Sequence, residues 1–140
     1  MRAQYVAGDR NRDMILAIKT NFEPVEIYVL DDSGNILRQK KWTAERTLAK
    51  NLLDKLNKFL DGDFKQLTGV VVFSGPGSFT GLRIGITVAN TIAYTENIPI
   101  VGAGGDDWLK TGVNNLKTGK NHKIVVPEYG QEAHTTKPKK

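Results

Sequence analysis

Residues 73–85 read Phe-Ser-Gly-Pro-Gly-Ser-Phe-Thr-Gly-Leu-Arg-Ile-Gly, and this stretch decides the fold. Residues 69–73, which lead into it, are apolar apart from the opening glycine and predict a central strand with both faces covered. Residues 80–94, which overlap its end, predict a helix. The loop therefore joins a buried strand to a helix, which is where open α/β sheets usually place their ligand loops.

Three known sequence motifs would place a phosphate or a nucleophile in the loop between this strand and helix. A Walker A loop is excluded because Gly81 is not followed by a lysine and a hydroxyl residue. A dinucleotide fingerprint matches in part, since Thr80 stands where the third glycine is required. A nucleophile elbow at Ser78 is disfavoured because Pro76 occupies the position of its first glycine. No catalytic residue is predicted, and the candidate phosphate-binding loop consists of Gly75, Pro76, Gly77, Ser78, Phe79 and Thr80.

The helix predicted over residues 80–94 has a single charged side chain, Arg83. Small residues recur along it every four positions and form a stripe that another backbone could approach closely: Gly81, Gly85, Ala89 and Ala93. A helix that is apolar nearly all round is buried on more than one side. Two explanations stay open, because either the other long helix of this chain or the helices of a partner could complete that burial.

The rest of the chain predicts a small α/β domain. Residues 14–18, 25–30 and 36–42 predict an antiparallel meander, with Gly34 supplying the positive φ of a turn. Residues 43–60 predict an amphipathic helix with Thr43 as N-cap and Gly62 at the C′ position. Residues 98–102 predict a fifth strand, and a short helix runs from the Asp106–Asp107 pair to Leu116. The apolar face of the helix over 43–60 comprises Leu48, Leu52, Leu53, Leu56, Phe59 and Leu60.

Composition limits the possible functions of the 140 residues. They contain no cysteine, which excludes a disulfide framework and a thiolate metal site, and no apolar run is long enough to cross a bilayer. A cytoplasmic location without a membrane role is therefore expected. The net charge of +5 lies at the ends, since residues 14–116 hold eleven basic and eleven acidic side chains. Residues 117–140 hold six lysines and two glutamates, which is more typical of a solvated end than of an RNA contact.

Other potential sites have structural explanations in the sequence. His122 and His134 lack the paired spacing of a metal site and are interpreted as tail residues. Trp42 and Trp108 stand beside predicted helix starts, where packing is the favoured role. The sequence shows no interleaving of aromatic and basic residues that would indicate direct RNA binding.

The run over residues 73–85 resembles the signature of the TsaB (YeaZ-like) family, and the resemblance extends over about residues 14–102. It implies an α/β fold of the ribonuclease-H-like / actin-like ATPase (ASKHA) class, with a mixed five-stranded sheet in β-β-β-α-β-α-β order. It also implies three segments: an N-terminal extension over 1–13, a TsaB-like N-terminal lobe over 14–118, and a basic tail over 119–140 as a remnant of the second lobe.

The resemblance implies a non-catalytic scaffold that pairs with a TsaD-type catalytic subunit to make N6-threonylcarbamoyladenosine (t6A) on tRNA. Contact with tRNA would be indirect, a TsaE-type ATPase is implied as a further partner, and no cofactor or metal is expected. The two helices of the lobe would form the interface, and a homodimer through the same helices is an alternative. The implied interface residues are Leu48, Leu52, Gly81, Leu82, Arg83, Gly85, Ile86, Ala89 and Ala93.

Two departures from the family pattern bear on this expectation. Family members often begin Ile-Asp-Thr-Ser, whereas Lys19, Thr20 and Asn21 follow Ile18 here. Catalytic members of the fold use that aspartate to position metal and phosphate, so the lysine argues against nucleotide hydrolysis. The second lobe is also missing, and the surfaces it would provide are not expected. The alternative function is a nucleotide- or phosphate-binding enzyme of the same fold, with Arg83 on phosphate.

Overall fold

The computed structural model describes residues 14–129, which form five strands and three helices around one core. The strands are β1 (Ile15–Lys19), β2 (Val25–Leu30), β3 (Ile36–Trp42), β4 (Gly69–Gly75) and β5 (Ile100–Gly104). The helices are α1 (Leu48–Phe59), α2 (Phe79–Glu96) and α3 (Trp108–Lys117). This order confirms the β-β-β-α-β-α-β sequence of elements, and α3 confirms the short helix predicted after them.

The five strands form one mixed sheet in the order β3-β2-β1-β4-β5. The antiparallel pairs β1–β2 and β2–β3 confirm the predicted meander, and β1–β4 and β4–β5 are parallel. Every residue of β4 is buried, as its apolar sequence predicted. β3 and β5 are the edge strands, so the loop after β4 begins in the interior of the sheet.

The helices cover the two faces of the sheet. Tyr28 on β2 meets Trp108 of α3 edge to face, whereas Arg38 on β3 lies over the Phe59 ring of α1. Arg38 pairs with Val29, the neighbour of Tyr28, and side chains alternate between faces along a strand. α1 and α3 therefore lie on opposite faces. α2 packs against α1, so these two helices share one layer.

The start of the first helix differs from the sequence prediction. A 3-10 turn at Glu45–Thr47 precedes α1, and Glu45 has a φ of 54°, which an α-helix cannot accommodate. The Glu23 carboxylate, rather than the predicted cap Thr43, accepts from the backbone N–H groups of Ala44 (3.0 Å) and Glu45 (2.8 Å). The cap is therefore Glu23, twenty-two positions before Glu45, and no local sequence pattern predicts a cap from so far away.

The end of α1 also differs by one residue from the prediction. Asp61, with φ of 55°, occupies C′, and Gly62 follows it at C″. The N–H of Gly62 donates to Asn57 O and that of Asp61 to Lys58 O, which is the hydrogen-bond pattern of a Schellman motif. Leu53 was predicted to lie on the apolar face of this helix, but it does not face the core, because it is 54% exposed.

The second helix is longer and the fifth strand later than predicted. α2 begins one residue before the predicted Thr80 and ends at Glu96, where Asn97 adopts the left-handed conformation. Ile98 N donates to Ala93 O, so Ile98 still belongs to the helix end. β5 therefore begins at Ile100 rather than at residue 98.

Residues 120–129 pack onto the lobe. Val125 is buried, His122 N donates to Ile100 O, and Glu128 N donates to Ser74 O. His122 is consequently not a free tail residue, since its Nδ1 accepts from Gly102 N at 3.0 Å. The predicted extension 1–13, His134 and the last tail lysines lie outside the described residues. No helix of the described part could cross a membrane.

Candidate functional site: the loop after β4 and the two faces of α2

The loop after β4 is held by the loop between β1 and β2. Ser78 N donates to Asn21 O at 3.0 Å, and a Cβ on Gly77 would collide with the Asn21 side chain. On its other side, a Cβ on Gly75 would overlap Glu128 O. Gly75 and Gly77 are thus required by the close approach of two other backbone segments.

Most of the loop's polar groups that the structure describes are used within the chain. Ser78 is the N-cap of α2: its Oγ accepts from Gly81 N at 3.3 Å and its O from Leu82 N at 2.9 Å. Pro76 O accepts from Asn21 Nδ2 at 3.4 Å. The N–H groups of Ser78, Gly81 and Leu82 thus already have acceptors within the chain. Phosphate binding by this loop stays a prediction.

A cleft of about 420 Å³ lies where the two loops meet the start of α1. Asn21 is 6% exposed, and its Oδ1 is buried without a hydrogen-bond donor among the described residues. The cleft also contains Phe22, which is 62% exposed, and Arg46 beside the start of α1. Its walls come from Thr20, Asn21, Phe22, Glu23, Val25, Glu45, Arg46, Leu48, Ala49, Ser78, Thr80, Gly81 and Ile84.

The small-residue stripe of α2 packs against the chain's own Thr20. The Thr20 hydroxyl donates to Gly81 O at 2.6 Å, and a Cβ on Gly81 would overlap Thr20 O. A Cβ on Gly85 would overlap Thr20 Oγ1 and lie 3.0 Å from Thr20 Cγ2. Ala89 and Ala93, further along the stripe, are buried as well. The stripe therefore lets the β1–β2 loop approach the helix, and we call it the inner face of α2.

Most of the interface residues expected from the sequence are buried within the chain itself. These seven of the nine are Leu48, Leu52, Leu82, Gly85, Ile86, Ala89 and Ala93. The role of the nine residues at an interface stays a prediction. Gly81 is half-buried, and Arg83 is exposed with its guanidinium 5.7 Å from the Phe79 ring centroid. Of the two open explanations for the apolar helix, the chain's own packing accounts for the stripe.

The opposite side of α2 is open, and Arg83 at its edge is the one exposed charged side chain of that side among the described residues. Its residues recur at helical spacing and are exposed or half-buried: Thr80, Ile84, Thr87, Val88 and Thr91. On the neighbouring helix α1, Ala49 and Leu53 are exposed. We call these seven residues the helix-pair surface. The sequence signal that could have found it is the helical spacing of Thr80, Thr87 and Thr91 along a largely apolar helix.

Residues 125–129 cover a third flank of α2. The side-chain amide of Asn90 bonds both backbone groups of Val125, at 3.0 Å to its O and 2.9 Å from its N. The Tyr129 ring stacks on Phe79 with 4.2 Å between centroids. Phe79, expected in a phosphate loop, is thus the first residue of α2 and an aromatic contact.

Lys19 occupies the place of the family's aspartate at the end of β1. Its Nζ lies 4.0 Å from Glu26 Oε2 and 5.0 Å from the centroid of the Phe73 ring. The Tyr28 hydroxyl donates to the same Glu26, and burial is the largest cause that raises the Tyr28 pKa above its usual value. Among the described residues, no group of three acidic or histidine side chains could hold a metal ion.

The family model described as TsaD, tRNA N6-adenosine threonylcarbamoyltransferase, matches residues 43–104. The tRNA threonylcarbamoyladenosine biosynthesis protein TsaB of Bacillus subtilis is 53% identical over 36 residues, or 26% of this chain and 16% of that protein. TsaB of Buchnera aphidicola is 31% identical over 93 residues, or 64% of this chain and 43% of that protein.

The structure of YeaZ from Pseudomonas aeruginosa superimposes with a TM-score of 0.58 and 26% identity. The match covers 66% of this chain and 44% of YeaZ. It agrees with the predicted actin-like, ribonuclease-H-like α/β fold, which is thereby confirmed. The chain spans less than half the length of each of these relatives.

Proposed function

We infer that this chain, which is TsaB/YeaZ-like in sequence and in structure, acts in the t6A modification of tRNA as a non-catalytic subunit. Its role would be to pair with a TsaD-type protein. The observation that carries the proposal is the helix-pair surface, whose seven residues are uncharged and are exposed or half-buried among the described residues. The phosphate-binding enzyme of the same fold is the alternative.

The helix-pair surface has the properties of a helix-packing interface. Leu53 is 54% exposed, and Ile84 and Val88 are half-buried against the core, so apolar area is available beside three small threonine side chains. Interface cores are depleted in charge, and the seven residues of the helix-pair surface meet that condition, with Arg83 at the edge of the surface. Two antiparallel or crossing helices of a partner could therefore pack along α1 and α2.

The non-catalytic role is supported by the groups that stand where chemistry would be needed. Lys19 places an ammonium where catalytic members of the fold hold a carboxylate for metal, and its neighbour is Glu26 at 4.0 Å. The Ser78 hydroxyl is engaged as the cap of α2. Among the described residues, no base contacts that hydroxyl to activate it as a nucleophile.

The first experiment is co-expression with the TsaD-type protein of the same organism, followed by light scattering on the purified species. We expect a one-to-one heterodimer. Thr87→Arg and Leu53→Arg should abolish it, because each puts a charged, bulky side chain into a close helix contact. Thr111→Arg is the matched control, since Thr111 is equally exposed but lies on α3, on the far face of the sheet. It should pair normally.

Other outcomes would redirect the assignment. Pairing that survives both Thr87→Arg and Leu53→Arg would show that the helix-pair surface is not the interface. A homodimer that ignores the TsaD-type protein would favour self-association through the same helices. Measurable ATP binding by calorimetry would favour the enzyme, with the loop after β4 as its site. A TsaE-type ATPase as further partner stays a prediction, which adding that protein to the same co-expression can test.

A further inference from the structure

A second surface, on the other side of α1, is strongly basic. A groove of about 510 Å³ runs between the edge strand β3 and α1. Six residues line it, and four of these carry a positive charge while none carries a negative one: Arg38, Gln39, Lys40, Lys55, Lys58 and Phe59. Residues 14–116 as a whole are neutral, so this groove is a local excess of cations rather than a share of a basic protein.

The cations of the groove are held by aromatic rings from the facing element. The Arg38 guanidinium on β3 lies 4.9 Å from the ring centroid of Phe59 on α1. In the reverse sense, Lys55 on α1 lies 5.4 Å from the ring centroid of Trp42 on β3. Such contacts restrain long side chains that would otherwise sample many rotamers. Two positive groups are thus partly ordered along the groove.

Register sets the spacing of the charges. Arg38 and Lys40 are two residues apart on β3, so they point to the same face about 6.6–6.8 Å apart. Lys55 and Lys58 are three residues apart on α1, so they neighbour each other on the facing wall. The result is a row of cations on each side of a shallow channel, a geometry that can follow a chain of repeated anionic groups rather than a single anion.

Neighbouring carboxylates neutralise only part of this charge. Asp61 lies 3.6 Å from Arg38, and Asp54 lies 3.4 Å from Lys58. Both pairs are exposed, and such pairs exchange readily with solvent or with another anion. Lys40 and Lys55 make no ion pair within the described residues. Lysines on the edge strand β3 could be explained by the need to prevent edge-to-edge aggregation of the sheet. This explanation does not apply to the cations of α1, which is a helix.

We propose that the groove between β3 and α1 binds the phosphodiester backbone of RNA, with Lys40 and Lys55 as its principal phosphate contacts. The choice of RNA over other polyanions rests on the proposed function in tRNA modification, which would make this chain a direct rather than an indirect RNA contact. The charge complementarity of the groove is independent of that function.

The test is a titration of the full chain into a fluorescein-labelled, unmodified tRNA transcript, followed by fluorescence anisotropy over a range of salt concentrations. Lys40→Glu/Lys55→Glu should weaken binding by at least roughly tenfold at low salt. It should also reduce the slope of log K against log salt by about 1.4 to 1.8, for two lost phosphate contacts. Lys110→Glu/Lys120→Glu changes the net charge equally at exposed positions outside the groove, and should stay within about twofold of the unsubstituted chain.

Three results would overturn the proposal. The first is an unsubstituted chain that does not bind the transcript at low salt. The second is an equal loss in both double variants, which would mean that net charge alone governs binding. The third is displacement of the RNA by poly-glutamate as efficiently as by unlabelled tRNA, which would indicate an acidic protein as the partner. Because the groove variant should still form the heterodimer, loss of RNA binding and loss of pairing can be told apart.

Discussion

The inner face of α2 and its outer face, the α2 part of the helix-pair surface, both contain small residues but meet different surroundings. Gly81 and Gly85 on the inner face touch Thr20 so closely that neither has room for a Cβ. Thr87 and Thr91 on the outer face are exposed. The difference is that the inner face meets a loop of the same chain, which supplies a backbone carbonyl and a hydroxyl at the helix surface.

The comparison shows what a stripe of small residues means. Such a stripe indicates that something approaches the helix closely, but it does not indicate whether that neighbour is another helix, another subunit or a nearby loop. Here the neighbour is Thr20, three percent exposed and hydrogen-bonded to Gly81 O. A partner surface must therefore be sought where the helix is uncovered, and the predictions below measure how sharply the two faces differ.

The largest effect is expected at Gly81. In an exposed helix interior, glycine to alanine would raise the free energy of unfolding by about 1 kcal/mol. Gly81→Ala should instead lower it by about 1–3 kcal/mol, because the new Cβ would overlap the backbone oxygen of Thr20, which cannot rotate away. Urea unfolding followed by circular dichroism measures the difference.

The neighbouring Thr80→Ala is the control for this measurement, since Thr80 is exposed. Its unfolding free energy should change by no more than about 0.5 kcal/mol. A Gly81→Ala protein that is more stable than the unsubstituted chain would show that the β1–β2 loop does not rest on α2 in solution, and the assignment of an inner face would have to be withdrawn.

A smaller, coupled effect is expected between Gly85 and Thr20. The Cβ added by Gly85→Ala would meet side-chain atoms of Thr20, not its backbone, so removal of that side chain should relieve the overlap. Each single substitution should destabilise the chain, and Thr20→Ala does so because it also removes the hydrogen bond to Gly81 O. The double variant should lose about 1 kcal/mol less of its unfolding free energy than the sum of the losses in the two single variants. Strict additivity in this cycle would contradict direct contact.

Much of the fold follows from the sequence because its signals are local. The apolar run of β4, the alternation in β2 and the turn at Gly34 each specify an element without reference to distant residues, and the structure contains all three. The start of α1 could not be predicted in this way. Its backbone N–H groups at Ala44 and Glu45 are satisfied by Glu23, which comes near only when the sheet has formed.

The candidate sites depend even more on contacts between residues that are distant in the sequence, which local signals do not predict. Arg83 is exposed, as an interface residue must be, but residue type alone does not distinguish the buried residues of the expected interface from the exposed ones. The sequence does not predict the basic groove, because each cation on one element meets an aromatic ring on the other element and not one nearby in the sequence. Lys55 and Trp42 are thirteen residues apart and face each other only after α1 packs beside β3.

The smallest effect is expected on the outer face, at Thr87. Alanine has the higher helix propensity, and the exposed Thr87 side chain has little packing to lose, so Thr87→Ala should raise the free energy of unfolding by about 0.5 kcal/mol or less. The same urea unfolding experiment measures it, and its sign should be opposite to that of Gly81→Ala six residues earlier. A loss of more than about 1 kcal/mol would mean that another part of the chain covers Thr87. The helix-pair surface would then not be free for a partner, and the different environments of the two faces would disappear.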